Sequence, residues 1–190
     1  MLAYSATAQL SYVLLSLSAG TTQAYIASAF YLISYLLMSL LAFSFLAILS
    51  NNKINCDNIR DLSNLNDQYP ILALILLIVL FSLAGLPPFL GFIAKIFIFE
   101  ALIKQHMIWQ TCLALLLSVI SVYYYINVIK VMYFEQNNNK ISSQTIKLLG
   151  NGKLVINKSL LTIIIFFSII LILLGLMPNF LFDICTGIIT

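Results

Sequence analysis

The sequence predicts an all-α, polytopic membrane protein with about five transmembrane helices, the third of them broken. Of its 190 residues, 62% are hydrophobic and 8% are charged, whereas a soluble domain has about 25% charged residues. Apolar runs long enough to cross a membrane as helices recur along the chain, and the alternation typical of barrel strands is absent. We therefore treat residues 1–190 as a single transmembrane domain.

Two polar loops and two short turns separate the predicted spans. The spans cover residues of about 1–17, 22–49, 70–104, 107–134 and 160–177, the last ended by Pro178. The polar loops cover residues 50–69 and 135–158. Because these loops hold most of the basic residues, the positive-inside rule places both on the cytoplasmic or matrix side. The N-terminus is then inside and the C-terminus outside.

The first two spans each have a stripe of polar side chains on one helical face. In span 1 the stripe consists of Tyr4, Ser5, Gln9 and Tyr12. In span 2 it consists of Ser28, Tyr31 and Tyr35. Such a stripe packs against other protein more readily than against lipid. For both stripes we favour interhelical hydrogen bonds over a role in proton conduction.

The third span is too long for one straight crossing. Residues 70–104 would extend about 52 Å as one helix, and the hydrocarbon core is about 30 Å thick. Pro87 and Pro88 lack N–H donors and clash with the preceding helical turn, and Gly85 and Gly91 flank them. We therefore place a break at Gly85 to Pro88, which gives two half-helices that meet inside the membrane.

Lys95 follows the two prolines and is surrounded in sequence by Ile, Phe, Leu and Ala. A lysine at the centre of a membrane span costs roughly 2.5 kcal/mol or more, so an ionisable group there is a functional candidate by default. Desolvation disfavours the charged amine, whereas an acidic partner favours it. Lys95 can therefore change its protonation state when its surroundings change, and it is our candidate proton-transfer residue.

Glu100 and His106 are further candidates for a proton relay. Glu100 and Lys104 are four residues apart, a spacing that predicts an ion pair on the helix surface. We favour this pairing over a relay role for Glu100. His106 lies in the short turn before span 4, and we favour a solvent-facing position at the membrane interface over a proton exit site.

The sequence has no motif for a metal or a bound cofactor. Its three cysteines are isolated from one another, its only histidine is His106, and no glycine-rich nucleotide loop is present. A formal charge of +3 is too small to indicate a nucleic-acid partner. We therefore expect membrane lipids and other membrane proteins, rather than nucleic acid, as partners.

Three segments resemble the antiporter-like, proton-pumping membrane subunits of respiratory complex I. They are LAYSATAQLSYVLLSL in span 1, AFYLISYLLMSLLAF in span 2 and FSLAGLPPFLGFIAKIFIFEAL in span 3. The usual forms in that family read roughly LAYSSISHxGY, YLLAYxFMxLGAF and LSLAGxPPxxGFxxKxxxF. The segments RDLSNLNDQYP and SVISVYYYINVIKVMYF also match. Within the family, the greatest resemblance is to subunit 2 of mitochondrial NADH dehydrogenase.

The resemblance implies that Lys95 takes part in proton translocation across the inner mitochondrial membrane, driven by electron transfer from NADH to ubiquinone. It also implies that NADH, FMN, the iron–sulfur clusters and ubiquinone are held by other subunits, with no redox site in this chain. Family members usually have eleven or more spans in two inverted repeats, and this chain resembles only the C-terminal part.

We therefore expect the other membrane-arm subunits of the complex as partners, including a separate polypeptide that supplies the first repeat. The initial Met1 favours such a natural split over a truncated form. The same motifs also occur in subunits of multi-subunit cation/proton antiporters that are not coupled to redox chemistry, which is the alternative function. A third possibility is a structural membrane subunit that has lost transport, in which case Lys95→Met would have no effect.

Overall fold

The computed structural model describes residues 2–51, 59–63, 65–135 and 158–189, and within these ranges all regular structure is helical. This confirms the predicted all-α fold. The helices are α1 (Leu2–Leu17), α2 (Thr22–Asn51), α3 (Leu65–Gln68), α4 (Pro70–Ala84), α5 (Leu90–Lys104), α6 (Ile108–Phe134), α7 (Lys158–Leu176) and α8 (Pro178–Ile189), with a short 3₁₀ turn at Ile59–Leu62. The predicted second polar loop lies outside the described residues except at its two ends, and so does much of the first.

Helix α2 is the central element of the fold. It contacts α1, α4, α5, α7 and α8, and its large side chains Phe30, Phe45 and Leu49 are fully buried. Apart from the stripe of Ser28, Tyr31 and Tyr35, its sequence is apolar around the helix, which is typical of a helix surrounded by protein or lipid. These five helices therefore pack around α2, whereas α3 and α6 pack against α4.

Two of the described helices are long and apolar enough to cross a membrane. These are α2, over Thr22–Leu49, and α6. The pair α7 and α8 is bent by 84° and gives a third candidate if it counts as one span. Helix α4 is apolar but has only 15 residues, which is about 22 Å and shorter than the hydrocarbon core. The total of about five spans remains a prediction.

The helix break is confirmed at the predicted position. Helix α4 ends at Ala84 and α5 begins at Leu90. Gly85 has φ 78° and ψ 47°, the left-handed conformation that glycine adopts without a steric penalty. The N–H of Gly85 donates to the carbonyls of Phe81 and Ser82 at 3.1 and 3.0 Å, which closes the last turn of α4. The peptide bond between the two prolines is cis.

The chain after Pro178 differs from the expected tail, because residues Pro178–Ile189 form helix α8. A proline ends one helix, but it also suits the first turn of the next, where its missing N–H has no partner in any case. Helix α8 folds back onto α2, and the ring of Phe182 lies 4.8 Å from that of Phe97 in α5. The bent end of the chain therefore supports the half-helix that holds Lys95.

Candidate functional site

Lys95 is buried in the protein, with 5% of its surface exposed. Its ammonium Nζ donates a hydrogen bond to the carbonyl oxygen of Ala84, the last residue of α4, at 3.0 Å. The same nitrogen lies 5.5 Å from the centre of the Tyr12 ring. The ion pair found among the described residues does not involve Lys95. The break thus brings the lysine of α5 onto the end of α4.

The two prolines explain why this carbonyl is free. In a continuous helix the carbonyls of Leu83 and Ala84 would accept the N–H groups four residues later, but those positions are the two prolines, which have none. Side chains take their place. Gln9 Nε2 donates to the Leu83 oxygen at 3.0 Å, and Lys95 donates to the Ala84 oxygen. Each of these two buried acceptors therefore has a donor.

The surroundings of Lys95 stabilise a positive charge without a carboxylate. Carbonyl groups at the C-terminal end of a helix have partial negative charge, which favours a cation by about 0.3–1 kcal/mol or more when partly buried. The face of the Tyr12 ring adds a cation–π contact of about 0.5–2 kcal/mol. These contributions offset only part of the cost of desolvating an ammonium group. The charged state of Lys95 is therefore not locked by an adjacent acid within the described structure.

Glycines allow the backbones at the break to approach closely. A Cβ atom at Gly91 would lie 1.9 Å from the carbonyl oxygen of Ser82, and one at Gly85 would lie 2.9 Å from the Lys95 nitrogen. A Cβ atom at Gly175 of α7 would lie 2.7 Å from the carbonyl oxygen of Pro88. The two half-helices and α7 therefore meet at positions where no side chain fits.

A hydrogen-bonded chain extends from the end of α4 through Gln9, which is 3% exposed. We call the residues Ser5, Gln9, Tyr31 and Tyr125 the Gln9 chain. Gln9 Nε2 donates to the hydroxyl of Tyr125 at 3.2 Å, and the hydroxyl of Tyr31 donates to Gln9 Oε1. The hydroxyls of Tyr125 and Ser5 are also hydrogen-bonded to each other. Through these hydrogen bonds the Gln9 chain links α1, α2, α4 and α6.

Two cavities lie at the ends of the Gln9 chain. A small, closely packed cavity without room for a water molecule joins Lys95 to the Gln9 chain and is lined by Gln9, Tyr31, Tyr35, Met38, Ser82, Leu83, Gly91 and Lys95. An open groove of about 800 Å³ separates α1 from α6, and its lining includes Ser5, Gln9, Tyr12 and Tyr125. We refer to these as the lysine cavity and the α1–α6 groove. The Gln9 chain is thus the polar connection between them.

The other predicted candidates lie away from Lys95. Glu100 Oε1 is 2.7 Å from Lys104 Nζ, and both side chains are about half exposed, at 52% and 50%. His106 is exposed, with φ 57°, in the turn between α5 and α6. The structure therefore forms the predicted surface ion pair and does not bring Glu100 or His106 into the lysine cavity.

Much of the two polar stripes forms interhelical hydrogen bonds, whereas Ser28 donates within α2 to the carbonyl of Tyr25. Gln9 and Tyr31 contact each other, and the Tyr12 hydroxyl donates to the carbonyl of Ala114 at 3.3 Å. Tyr4, however, is 85% exposed. The residue that sequence reasoning did not select is Tyr125, which is buried and bonded to two residues of α1. Its only signal was a run of polar residues near the end of span 4.

Comparison with known proteins places the sequence in one family of membrane proteins. Residues 1–121 match the family model described as NADH:quinone oxidoreductase/Mrp antiporter, transmembrane. The chain is 47% identical over 135 residues to NADH-quinone oxidoreductase subunit N of Coxiella burnetii, an alignment that covers 71% of this chain and 28% of that protein.

Two solved structures have the same fold over nearly the whole chain. One is respiratory complex I from Thermus thermophilus with bound aureothin, with TM-score 0.75 and 29% identity over 96% of this chain and 38% of the matched chain. The other is the Mrp complex from Dietzia sp. DQ12-45-1b, with TM-score 0.77 and 17% identity over 94% of this chain and 39% of the matched chain. At that identity the second similarity concerns the fold alone.

The chain therefore belongs to the NADH:quinone oxidoreductase/Mrp antiporter transmembrane family. Relatives within this family that are named NADH-quinone oxidoreductase subunit N match most or nearly all of the chain. The chain spans less than two fifths of the length of these relatives.

Proposed function

We propose that this chain is a membrane-arm component of respiratory complex I and takes part in proton translocation driven by electron transfer from NADH to ubiquinone. The proposal is supported by the subunit N relatives and by the similarity to a chain of the Thermus thermophilus complex. The observation that carries it is Lys95, a buried amine held by the free end of a broken helix, without an acidic partner in the described part of the chain.

In this mechanism Lys95 gains and loses a proton as charges move in the neighbouring subunits. The exchange takes place among the polar side chains that line the lysine cavity, and the Ala84 carbonyl and the Tyr12 ring hold the amine while it is charged. Lys95 is the proton-transfer residue of this chain. Glu100 and His106, which lie at the surface, are at most peripheral relay groups.

The chemistry of the redox reaction belongs to other subunits in this proposal. NADH, FMN, the iron–sulfur clusters and ubiquinone would be bound there, and this chain would contribute to the enzyme only through proton transfer. The complex would lie in the inner mitochondrial membrane, with the N-terminus of this chain on the matrix side and its C-terminus on the intermembrane-space side. The sequence has a single arginine and is rich in Ile, Asn, Phe and Tyr, a composition compatible with an AT-rich genome such as many mitochondrial ones.

We also propose that a separate polypeptide supplies the first repeat and contacts the α1–α6 groove. The groove exposes polar groups of α1 between two otherwise apolar helices, and polar stripes in a membrane pack against protein more readily than against lipid. Purification of the native complex followed by mass spectrometry tests this point. A companion with sequence similarity to the first repeat supports it, and a complex that contains this chain without such a companion contradicts it.

Lys95→Met tests the proposed role of the lysine. The variant keeps most of the side-chain volume and removes the ionisable group, so we expect the complex to assemble and NADH-driven proton uptake into vesicles to fall at least tenfold. Lys104→Met is the matched control, because it changes the other lysine of α5, which is half exposed, and should leave proton uptake unchanged. Normal proton uptake by an assembled Lys95→Met complex would refute the proposal.

The second candidate is a subunit of a cation/proton antiporter that is not coupled to redox chemistry. The similarity in fold to the Mrp complex favours it. Copurification with flavin and iron–sulfur proteins would support the complex I function. An isolated complex without these proteins that exchanges sodium for protons would support the antiporter instead.

A further inference from the structure

We propose that Gln9 is a positioning residue for Lys95, because its amide fixes the direction of the hydrogen bonds between the lysine cavity and the α1–α6 groove. This inference rests on the proposed role of Lys95 in proton transfer. Gln9 is buried, lines both cavities and is bonded to groups from α2, α4 and α6. An amide has no proton to release near neutral pH, so Gln9 orients its neighbours rather than carrying the proton itself.

The carbonyl of Leu83 determines how the Gln9 amide is oriented. A carbonyl oxygen only accepts hydrogen bonds, and the Leu83 oxygen lies 3.0 Å from Gln9 Nε2. If the amide were rotated by 180°, Gln9 Oε1 would face that oxygen and both groups would lose a bond in a buried site, where an unpaired polar group is costly. The helix break therefore sets the orientation, because the prolines leave the Leu83 carbonyl without a backbone donor.

The oriented amide in turn sets the direction of the two tyrosine hydroxyls. Tyr31 donates its hydrogen to Gln9 Oε1, so the direction of its hydroxyl is fixed at the wall of the lysine cavity, which Lys95 also lines. Tyr125 accepts from Gln9 Nε2, and its hydroxyl shares a further hydrogen bond with that of Ser5. The bonds to Leu83 and Tyr125 thus point outward from Gln9, whereas the bond from Tyr31 points toward it.

The loss of this orientation should affect Lys95 more than it affects the fold. Without an acceptor at Gln9 Oε1, the buried Tyr31 hydroxyl loses its hydrogen-bond partner and its fixed direction beside the lysine cavity. Without a donor at Nε2, the Leu83 carbonyl is unpaired and the polar connection to Tyr125 and Ser5 is interrupted. Both changes act on proton exchange at Lys95.

The test compares four variants of the purified complex in vesicles, with NADH oxidation and proton uptake measured together. Gln9→Met keeps the volume of the side chain but removes all its hydrogen bonds. Gln9→His restores one donor and one acceptor. Gln23→Met is the matched control, since Gln23 is an exposed glutamine near the start of α2. Lys95→Met reports on the proposed function itself.

We expect Gln9→Met to lower the number of protons taken up per NADH about tenfold, Gln9→His to recover at least half of the loss, and Gln23→Met to match the unmodified complex. Gln9→Met within twofold of the unmodified complex, or Gln9→His as impaired as Gln9→Met, would overturn the inference. If Gln9→Met does not assemble, Tyr31→Phe replaces it, with a several-fold loss expected and no loss counting against the inference. Normal proton uptake by Lys95→Met would instead refute the proposed function.

Discussion

The contact between Gly91 and Ser82 gives the sharpest prediction for the geometry of the break. Gly91→Ala would place a Cβ atom 1.9 Å from the Ser82 carbonyl oxygen. A close carbon–oxygen contact needs roughly 3.3 Å, so α4 and α5 would have to separate by about 1.4 Å at this point. The obstacle is backbone, and a change of side-chain rotamer cannot remove the clash.

The separation has a structural and a functional consequence. Overpacking of this kind costs about 1–3 kcal/mol, and 2 kcal/mol lowers the Tm of a protein of this size by about 4–8 °C. Lys95 lies one helical turn after Gly91, and its bond to the Ala84 oxygen is 3.0 Å long. If the shift lengthened that contact by the full displacement, the distance would be about 4.4 Å, which is no longer a hydrogen bond.

Gly187→Ala is the matched control for this variant. A Cβ atom at Gly187, in α8, would meet no other atom within 4 Å, so this glycine-to-alanine change in a terminal helical turn creates no clash. Thermal unfolding of the purified complex, followed by circular dichroism, measures the difference in Tm, and vesicle assays measure proton uptake. Equal Tm values and equal proton uptake for the two variants would refute the close packing of the half-helices that we describe.

Three further predictions concern the same region. Gly85→Ala forces alanine into the left-handed conformation and places Cβ 2.9 Å from the Lys95 nitrogen, so we expect a loss of about 1–2 kcal/mol and reduced proton uptake; unchanged values would argue against this contact. Glu100→Gln removes an exposed ion pair and should change stability by about 0.5 kcal/mol or less, whereas a tenfold fall in proton uptake would make Glu100 a relay group. Gly175→Ala puts Cβ 2.7 Å from the Pro88 carbonyl oxygen and should lower the Tm by several degrees through overpacking, a result that an unchanged melting curve would contradict.

The break and the surface ion pair were predictable because both depend on local chemistry. Two prolines without N–H donors, next to a glycine, end a helix whatever surrounds it. The spacing of Glu100 and Lys104 brings their side chains together on any helix. For the same reason the isolated position of Lys95 among apolar residues indicated a buried amine before its contacts were known.

The partners of the broken end were not predictable, because they come from distant parts of the chain. Gln9 reaches the Leu83 carbonyl across 74 residues, and it reaches Tyr125 across 116. Helical periodicity shows which face of α1 is polar, but it does not show which helix that face will contact. Helix α8 was missed for a local reason, since Pro178 is equally suited to end a helix and to begin one.

The contacts of Lys95 allow its amine to be charged or neutral without a change in the fold. A charged lysine has three N–H donors and a neutral one still has two, so the Ala84 carbonyl keeps its hydrogen bond after the proton leaves. A carboxylate in direct contact would work against this, because breaking a buried ion pair costs about 3–5 kcal/mol. Lys95 has no such contact within the described structure.

At an effective dielectric constant of about 20, a unit charge that arrives roughly 8 Å away changes the energy of the amine by about 2 kcal/mol, or about thirtyfold in its protonation equilibrium. In the proposed mechanism a charge movement in a neighbouring subunit therefore shifts the protonation equilibrium of Lys95 without any rearrangement of the break.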